Sequence, residues 1–207
     1  MTLSQILRSR LLVYALACFV LIAAVAALAW SLVPVERVAQ GSGKALIGGP
    51  FTLTDQHGQE VTERDFAGRH MLIYFGYTFC PDFCPLSLST MTRALELVPE
   101  DVAEQVVPVF ISVDPKRDTV EHLAEYAPLF HPRLVALTGT EEQVEAATGA
   151  YRVYFKPVDS EQSTDYLVDH STFIYLMGPD GEYMTHFGHD ASAEEMAERL
   201  EAEVAGS

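Results

Sequence analysis

The chain has 207 residues, 49% of them hydrophobic, and its 13 basic and 29 acidic residues give a net charge of −16 with neutral histidines. Nucleic-acid binding requires a basic face for the phosphates, so this acid excess argues against a nucleic-acid partner. The acidic residues instead indicate a soluble surface, with a preference for cationic partners as the alternative.

An uncharged segment, residues 11–33, consists mainly of Leu, Val and Ala. About 20 apolar residues suffice to cross a bilayer, so this segment is predicted to be a transmembrane anchor. Residues 1–10 carry Arg8 and Arg10 and no acid, which predicts a cytoplasmic N-terminus and an exported remainder. A cleaved signal peptide, with Ala-Leu-Ala at 27–29 as its cleavage site, is the alternative, but its apolar core usually has only ~7–15 residues.

The ten residues before the span leave no room for a mitochondrial transit sequence, so the expected location is a bacterial inner membrane with a periplasmic C-terminal domain. Residues 34–50 mix Gly, Ser and Pro with a few charges, which is typical of a linker. Residues 51–207 have the length of one domain.

Apolar runs of strand type alternate with helical patterns through this domain. The predicted strands are residues 51–54, 59–62, 70–79, 106–113, 134–137, 166–177 and 182–187. The predicted helices are residues 86–98, 118–126, 140–147 and 193–204, the second beginning at Asp118 and the third at a Thr140–Gln143 capping box. An opening β-hairpin, alternating strands and helices, and a closing hairpin and helix predict an α/β fold of thioredoxin-like order.

Two cysteines follow the most apolar strand, at the start of a predicted helix. Cys80 and Cys84 are four residues apart, which places them on one helix face, and Pro81 suits a first helical position. The helix dipole there favours the reactive thiolate form, and two soft thiolates select Cu(I) or Zn. A disulfide across so short a loop would stabilise little. The third cysteine, Cys18, lies in the predicted anchor as a small buried hydrophobe.

A mononuclear site usually needs a third ligand, and the chain has seven histidines. His186 and His189 form a His-x-x-His pair, but residues three apart in a strand point to opposite faces. Four others are predicted to face solvent, namely His57, His70, His122 and His131.

His170 interrupts an apolar strand next to Asp169 and Ser171, where a polar side chain must have a partner. Metal ligation is one interpretation. A core histidine hydrogen-bonded to Asp169 or to the backbone is the other, and the residues alone support both equally.

Four segments together resemble the Sco (SenC) family of membrane-anchored copper proteins, in order and without a gap from about residue 47 to residue 200. They are 74–85 (YFGYTFCPDFCP), 112–119 (SVDPKRDT), 137–139 (LTG) and 166–176 (YLVDHSTFIYL). The resemblance implies a thioredoxin-like fold and a role in assembling the dinuclear copper centre of cytochrome c oxidase subunit II. It implies Cys80, Cys84 and His170 as ligands of a copper ion, Cu(I) or Cu(II).

The same resemblance gives Asp114, Arg117 and Asp118 a place near the site. The leading hypothesis is a copper chaperone and not an enzyme. It passes copper by ligand exchange to the thiolates of a partner, cytochrome c oxidase subunit II. Other periplasmic copper chaperones or thiol reductases are further candidate partners.

The alternative is an enzyme, a thiol–disulfide oxidoreductase whose redox pair Cys80 and Cys84 keeps a partner's copper-ligand cysteines reduced. Thioredoxins have two residues between their cysteines and a cis-proline beside them. This chain has three, and no proline lies between Pro157 and Pro179, where His170 stands instead. A peroxidatic enzyme, suggested only by Thr78, and a copper or redox sensor are weaker alternatives.

Overall fold

The computed structural model describes residues 47–158 and 166–206, so the predicted anchor and most of the predicted linker lie outside the described residues. None of the helices in these two ranges is long and apolar enough to cross a membrane. The strands are β1 (Thr52–Asp55), β2 (Glu60–Thr62), β3 (His70–Gly76), β4 (Val106–Ser112), β5 (Val135–Thr138), β6 (Phe155–Val158), β7 (Leu167–His170), β8 (Ile174–Met177) and β9 (Tyr183–Phe187). The helices are α1 (Phe83–Leu97), α2 (Glu100–Gln105), α3 (Val120–Tyr126), α4 (Glu141–Ala150) and α5 (Ala193–Val204), with short 3-10 turns at Glu63–Phe66 and Ala127–Leu129.

Seven strands form one mixed sheet in the order β2-β1-β5-β4-β3-β8-β9. The three central strands β5, β4 and β3 run parallel, while β1 and β8 pair antiparallel with the outer sides of β5 and β3. Strands β6 and β7 form a separate two-stranded sheet. The carboxyl end of β3, where open α/β sheets place their sites, therefore lies in the middle of the large sheet.

The core is built on β3 and β4, because every residue of both strands is buried. This explains their continuous apolar sequences, which are typical of strands covered on both faces. Helix α1 packs on β3 and β4 and also contacts α5. The start of α1 is therefore fixed to the rigid centre of the sheet.

The predicted order of elements is correct, with local differences. Residues 166–177 form two strands in different sheets, β7 and β8, instead of one strand. Strand β6 and helix α2 were not predicted. The capping box of Thr140 and Gln143 is confirmed. The predicted helix cap Asp118 is wrong, because Thr119 caps α3 by accepting a hydrogen bond from the His122 N–H.

Candidate metal centre

Cys80 lies in the loop that leaves the carboxyl end of β3. The strand ends at Gly76, and α1 begins only at Phe83, after Asp82 as N-cap. The prediction that both cysteines lie on one helix is therefore wrong for Cys80, since only Cys84 is helical. The physical reason is Pro81, because the residue before a proline is disfavoured in the helical region. The Cys80 N–H donates to the Tyr77 carbonyl at 3.3 Å instead.

Cys84 is the second residue of α1, and its side chain is fully buried. The Tyr74 hydroxyl donates to its Sγ at 3.6 Å, and the Cys84 N–H donates to the Cys80 Sγ at 3.5 Å. A Cβ at Gly76 would lie only 2.9 Å from the Cys84 Sγ. Gly76 thus leaves the space that this thiol occupies. This role of Gly76 was not predicted, although a glycine at the end of the strand was its signal in the sequence.

His170 ends β7 and reaches the cysteines from the small sheet. Its Nδ1 lies 2.9 Å from the Ser171 carbonyl oxygen. Because a carbonyl can only accept, Nδ1 carries a proton and donates to Ser171, which leaves Nε2 as the ring nitrogen that faces the thiols. Nε2 lies 3.4 Å from the Cys84 Sγ. The rings of Tyr74 and Tyr77 contact the imidazole edge-on, with centroids 6.1 and 5.8 Å away.

The structure brings the three predicted site residues together. One ligand atom from each of Cys80, Cys84 and His170 lies within 4.8 Å of the other two. The backbone hydrogen bond of His170, expected as the alternative to ligation, uses the other ring nitrogen and leaves Nε2 facing the thiols. Two soft sulfurs and one imidazole suit Cu(I) or Zn much better than hard cations.

The remaining histidines are not part of this group. His122 stacks on Phe79, and His189 contacts Phe83 edge-on, so both lie beside aromatic residues that flank the cysteine loop. His186 packs against Phe173. His70 was predicted to face solvent, which is wrong, since only 2% of it is exposed.

The two cysteines differ in their proton affinity. The hydrogen bond from the Cys84 thiol, helped by His170 and by backbone N–H groups, lowers the pKa of Cys80 to about 3. The same hydrogen bond and burial raise the pKa of Cys84. Without metal, the site therefore holds a Cys80 thiolate and a Cys84 thiol at neutral pH. A metal that binds both sulfurs must displace the Cys84 proton.

Asp118 connects the cysteine loop to β4 through hydrogen bonds. Its carboxylate is fully buried and accepts hydrogen bonds from the Thr78 N–H at 3.1 Å, the Thr78 hydroxyl at 2.5 Å and the Ser112 hydroxyl at 2.5 Å. Burial raises the pKa of Asp118. Because Thr78 lies two residues before Cys80, these bonds tie the cysteine loop to the end of β4.

Comparison with known proteins gives a consistent result. The chain is 45% identical to the human protein SCO1 homolog, mitochondrial, over 156 residues, which are 75% of this chain and 52% of the human protein. It is 44% identical to the SCO2-like protein of Rickettsia prowazekii over 161 residues, 77% of this chain and 78% of that protein. The chain thus matches about half the length of the human protein.

A solved structure is similar as well. The crystal structure of Arabidopsis thaliana ScoI with copper bound matches with a TM-score of 0.74 and 40% identity, covering 78% of this chain and 99% of that one. This likeness confirms the thioredoxin-like α/β fold. The family profile SCO1/SenC matches residues 39–205. The chain therefore belongs to the SCO1/SenC family.

Proposed function

We propose that this protein is a copper chaperone that binds a copper ion through Cys80, Cys84 and His170. The observation that carries the proposal is the convergence of three soft or borderline ligand atoms within 4.8 Å, although His170 follows Cys84 by 86 residues. Arabidopsis ScoI, whose structure holds copper, supports copper as the ion. Two thiolates favour Cu(I), and the added imidazole also suits Cu(II).

The different exposure of the two cysteines supports transfer by ligand exchange. Cys84 is buried, whereas Cys80 is partly exposed and lies between Phe79 and Phe83, which are 47% and 46% exposed. An incoming thiolate of a partner can therefore reach copper from the Cys80 side and replace that sulfur first. Cys84 and His170 hold the ion until a second partner ligand arrives. The proposed recipient is the dinuclear copper centre of cytochrome c oxidase subunit II.

A copper titration of the full chain tests this function. We expect one copper per chain in the wild type and a large loss of affinity in Cys80→Ala, Cys84→Ala and His170→Ala. Ligand protonation competes with copper, so affinity should fall on acidification. The matched control is His189→Ala, because His189 lies beside Phe83 but outside the ligand group. Stoichiometric copper retention by all three ligand variants would disprove the proposal.

A second function, thiol–disulfide exchange, is favoured by the lowered pKa of Cys80 and the buried thiol beside it. The Cys80 thiolate would attack a partner disulfide, releasing one partner thiolate and forming a mixed disulfide. Cys84, after losing its proton, would attack the Cys80 sulfur and release the second partner thiolate. The partner gains two electrons, and a thiol reductase must then reduce the Cys80–Cys84 disulfide.

Disulfide reduction by the copper-free full chain separates the two functions. An oxidoreductase would reduce insulin disulfides with turnover when a thiol reductant is supplied. Cys84→Ala would then accumulate the mixed disulfide at Cys80. A chaperone without this activity would show no turnover above the reductant alone, while still binding copper.

We also propose the cellular placement that the sequence predicts. Residues 11–33 would anchor the chain in a bacterial inner membrane, with the N-terminus cytoplasmic and the copper site periplasmic. The likeness to the Rickettsia prowazekii protein supports a bacterial source. Protease added to intact spheroplasts should digest the C-terminal domain. Protection of this domain would contradict the placement.

A further inference from the structure

Arg117 contacts both segments that carry the proposed ligands. Its guanidinium carbon lies over the rings of Phe79 at 4.9 Å and Tyr77 at 5.6 Å, in the loop that leads into Cys80. The same carbon lies 3.8 Å from the ring centroid of Tyr166, the residue before β7. One side chain thus joins the cysteine loop to the strand that ends at His170.

Hydrogen bonds fix the guanidinium in this position. Its Nε donates to Asp114 Oδ2 at 2.5 Å, and its Nη1 donates to the Tyr166 carbonyl at 2.9 Å. The Tyr166 hydroxyl donates to Asp114 Oδ1 at 2.6 Å, so the carboxylate bridges the other two side chains. Asp114 and Arg117 are only 4% and 15% exposed in their side chains. A pair shielded from water to this degree is screened less by salt than a surface pair.

The sheet that carries His170 needs such a tether. Strands β6 and β7 pair with each other and not with the large sheet. A cleft of about 310 Å³ separates part of them from the body of the domain, with Phe155 and Val168 on one side and Val113 and Val144 on the other. Val168 of β7 still packs in the core with 5% exposure, but the cleft leaves the packing beside it incomplete, so specific contacts help to set the position of His170.

We infer that Asp114, Arg117 and Tyr166 form a latch in which Arg117 is the positioning residue that holds His170 at the cysteines. The inference rests on the proposed function, in which His170 is a copper ligand. Arg117 touches no copper ligand in this role and acts through its contacts with Tyr166, the residue before β7, and with Tyr77 and Phe79 in the cysteine loop. Lysine cannot replace it, because an ammonium group lacks the planar fork that both stacks and donates in two directions.

The test combines copper affinity with a double-mutant cycle in the full chain. We expect Arg117→Met to lower copper affinity by roughly 10- to 100-fold, as loss of groups that orient metal ligands commonly does. In a His170→Ala background, the same change should alter affinity by no more than about twofold. The matched control is Arg93→Met, which removes an exposed arginine paired with Glu96. An equal loss with and without His170, or no loss, would overturn the latch.

Hydrogen exchange of the copper-free chain gives a readout that does not depend on copper binding. Arg117→Met should speed exchange of the β6 and β7 amides and leave the β4 amides unchanged. Arg117→Lys should show the same pattern to a smaller degree, which keeps the test informative if the Met variant unfolds. Unchanged exchange, or faster exchange throughout the domain, would overturn the latch. If the wild type bound no copper, the proposed function would fail while this measurement still decided the latch.

Discussion

Gly76 lies directly behind the Cys84 thiol, and its missing side chain is part of the site. A Cβ there would come within 2.9 Å of the Cys84 Sγ and of a Tyr74 ring carbon, and 3.0 Å from Phe110. We expect Gly76→Ala to destabilise the fold by about 1–3 kcal/mol, as overpacking does. It should also weaken copper binding, because Cys84 must move. Urea unfolding and a competitive copper titration measure the two effects.

Gly149 provides the matched control for this substitution. It lies in α4, and a Cβ there would meet no atom within 4 Å. Alanine in a helix is more favourable than glycine by ~1 kcal/mol, so Gly149→Ala should keep or increase the free energy of unfolding. Its copper affinity should equal that of the wild type. Wild-type stability and affinity in Gly76→Ala would show that the space behind Cys84 is not required.

The lowered pKa of Cys80 predicts unusual reactivity toward iodoacetamide without copper. The thiolate fraction of an ordinary thiol falls about 200-fold between pH 8 and pH 5.5. With a pKa of about 3, Cys80 remains a thiolate over this range, so its labelling rate should fall less than tenfold. Mass spectrometry of a Cys18→Ser chain measures labelling of Cys80 and Cys84 separately.

Removing the hydrogen-bond donor is the control for this reactivity. Cys84→Ala deletes the group that contributes most to the lowered pKa of Cys80. In this variant the labelling of Cys80 should become strongly pH-dependent. A wild-type rate that already falls about 200-fold on acidification would contradict the low pKa, since that is the behaviour of an ordinary thiol.

At the scale of elements, the cysteine loop between β3 and α1 depends on the β4–α3 connection through Asp118. Asp118→Ala would leave the Thr78 N–H and two hydroxyls without their acceptor. Each buried group that loses its partner costs about 1–3 kcal/mol, and water can satisfy some of them, so we expect a loss of roughly 2–4 kcal/mol. Chemical denaturation followed by circular dichroism measures it.

The exposed cap of the same helix provides the comparison. Thr119→Ala removes only the cap of α3, which accepts from the His122 N–H, and should cost about 1 kcal/mol. Copper affinity should fall in Asp118→Ala and stay unchanged in Thr119→Ala, because Asp118, unlike Thr119, bonds Thr78 in the loop before Cys80. Equal effects of the two substitutions on stability and copper binding would contradict this role.

Uniform burial made strands β3 and β4 easy to predict from the sequence. Both strands are apolar throughout because both of their faces are covered. Strand β6 escaped prediction because three of its four residues are exposed and one is Pro157. Strands β7 and β8 are separate because they pair in different sheets, and a continuous apolar sequence does not show with which strands it pairs.

The site shows the same limit. Cys80 and Cys84 were recognisable from their spacing and their place after a buried strand. The sequence neighbours of His170 could not decide between a backbone hydrogen bond and metal ligation. The two are compatible, because the hydrogen bond to Ser171 uses Nδ1 and the contact with Cys84 uses Nε2. The resemblance to the family selected it. The latch depends on contacts between distant segments, so no local pattern could identify it. The only signal for the role of Gly76 was a glycine at the end of a buried strand.

At the scale of the whole molecule, the proposed copper site exists only when the fold does. Cys80 and Cys84 are close in any conformation, but His170 reaches them through the sheet order that places β8 beside β3 and through the small β6–β7 sheet. A ligand that binds only the folded state stabilises it by about 2.7 kcal/mol at a free concentration of 100 Kd. Affinity of the unfolded chain for the same ligand reduces this gain.

Because only the folded chain brings His170 to the two cysteines, copper should change the free energy of unfolding. In the wild type, Cu(I) should raise the free energy of unfolding clearly, because the unfolded chain offers only the two nearby cysteines. In His170→Ala the folded and unfolded chains offer the same two thiolates, so the gain should be much smaller. Denaturant unfolding with and without buffered Cu(I), followed by far-UV circular dichroism, compares them, with His189→Ala as the variant that should match the wild type. Equal stabilisation of the wild type and His170→Ala by Cu(I) would mean that His170 adds nothing to copper binding. The proposed three-ligand site would then be wrong.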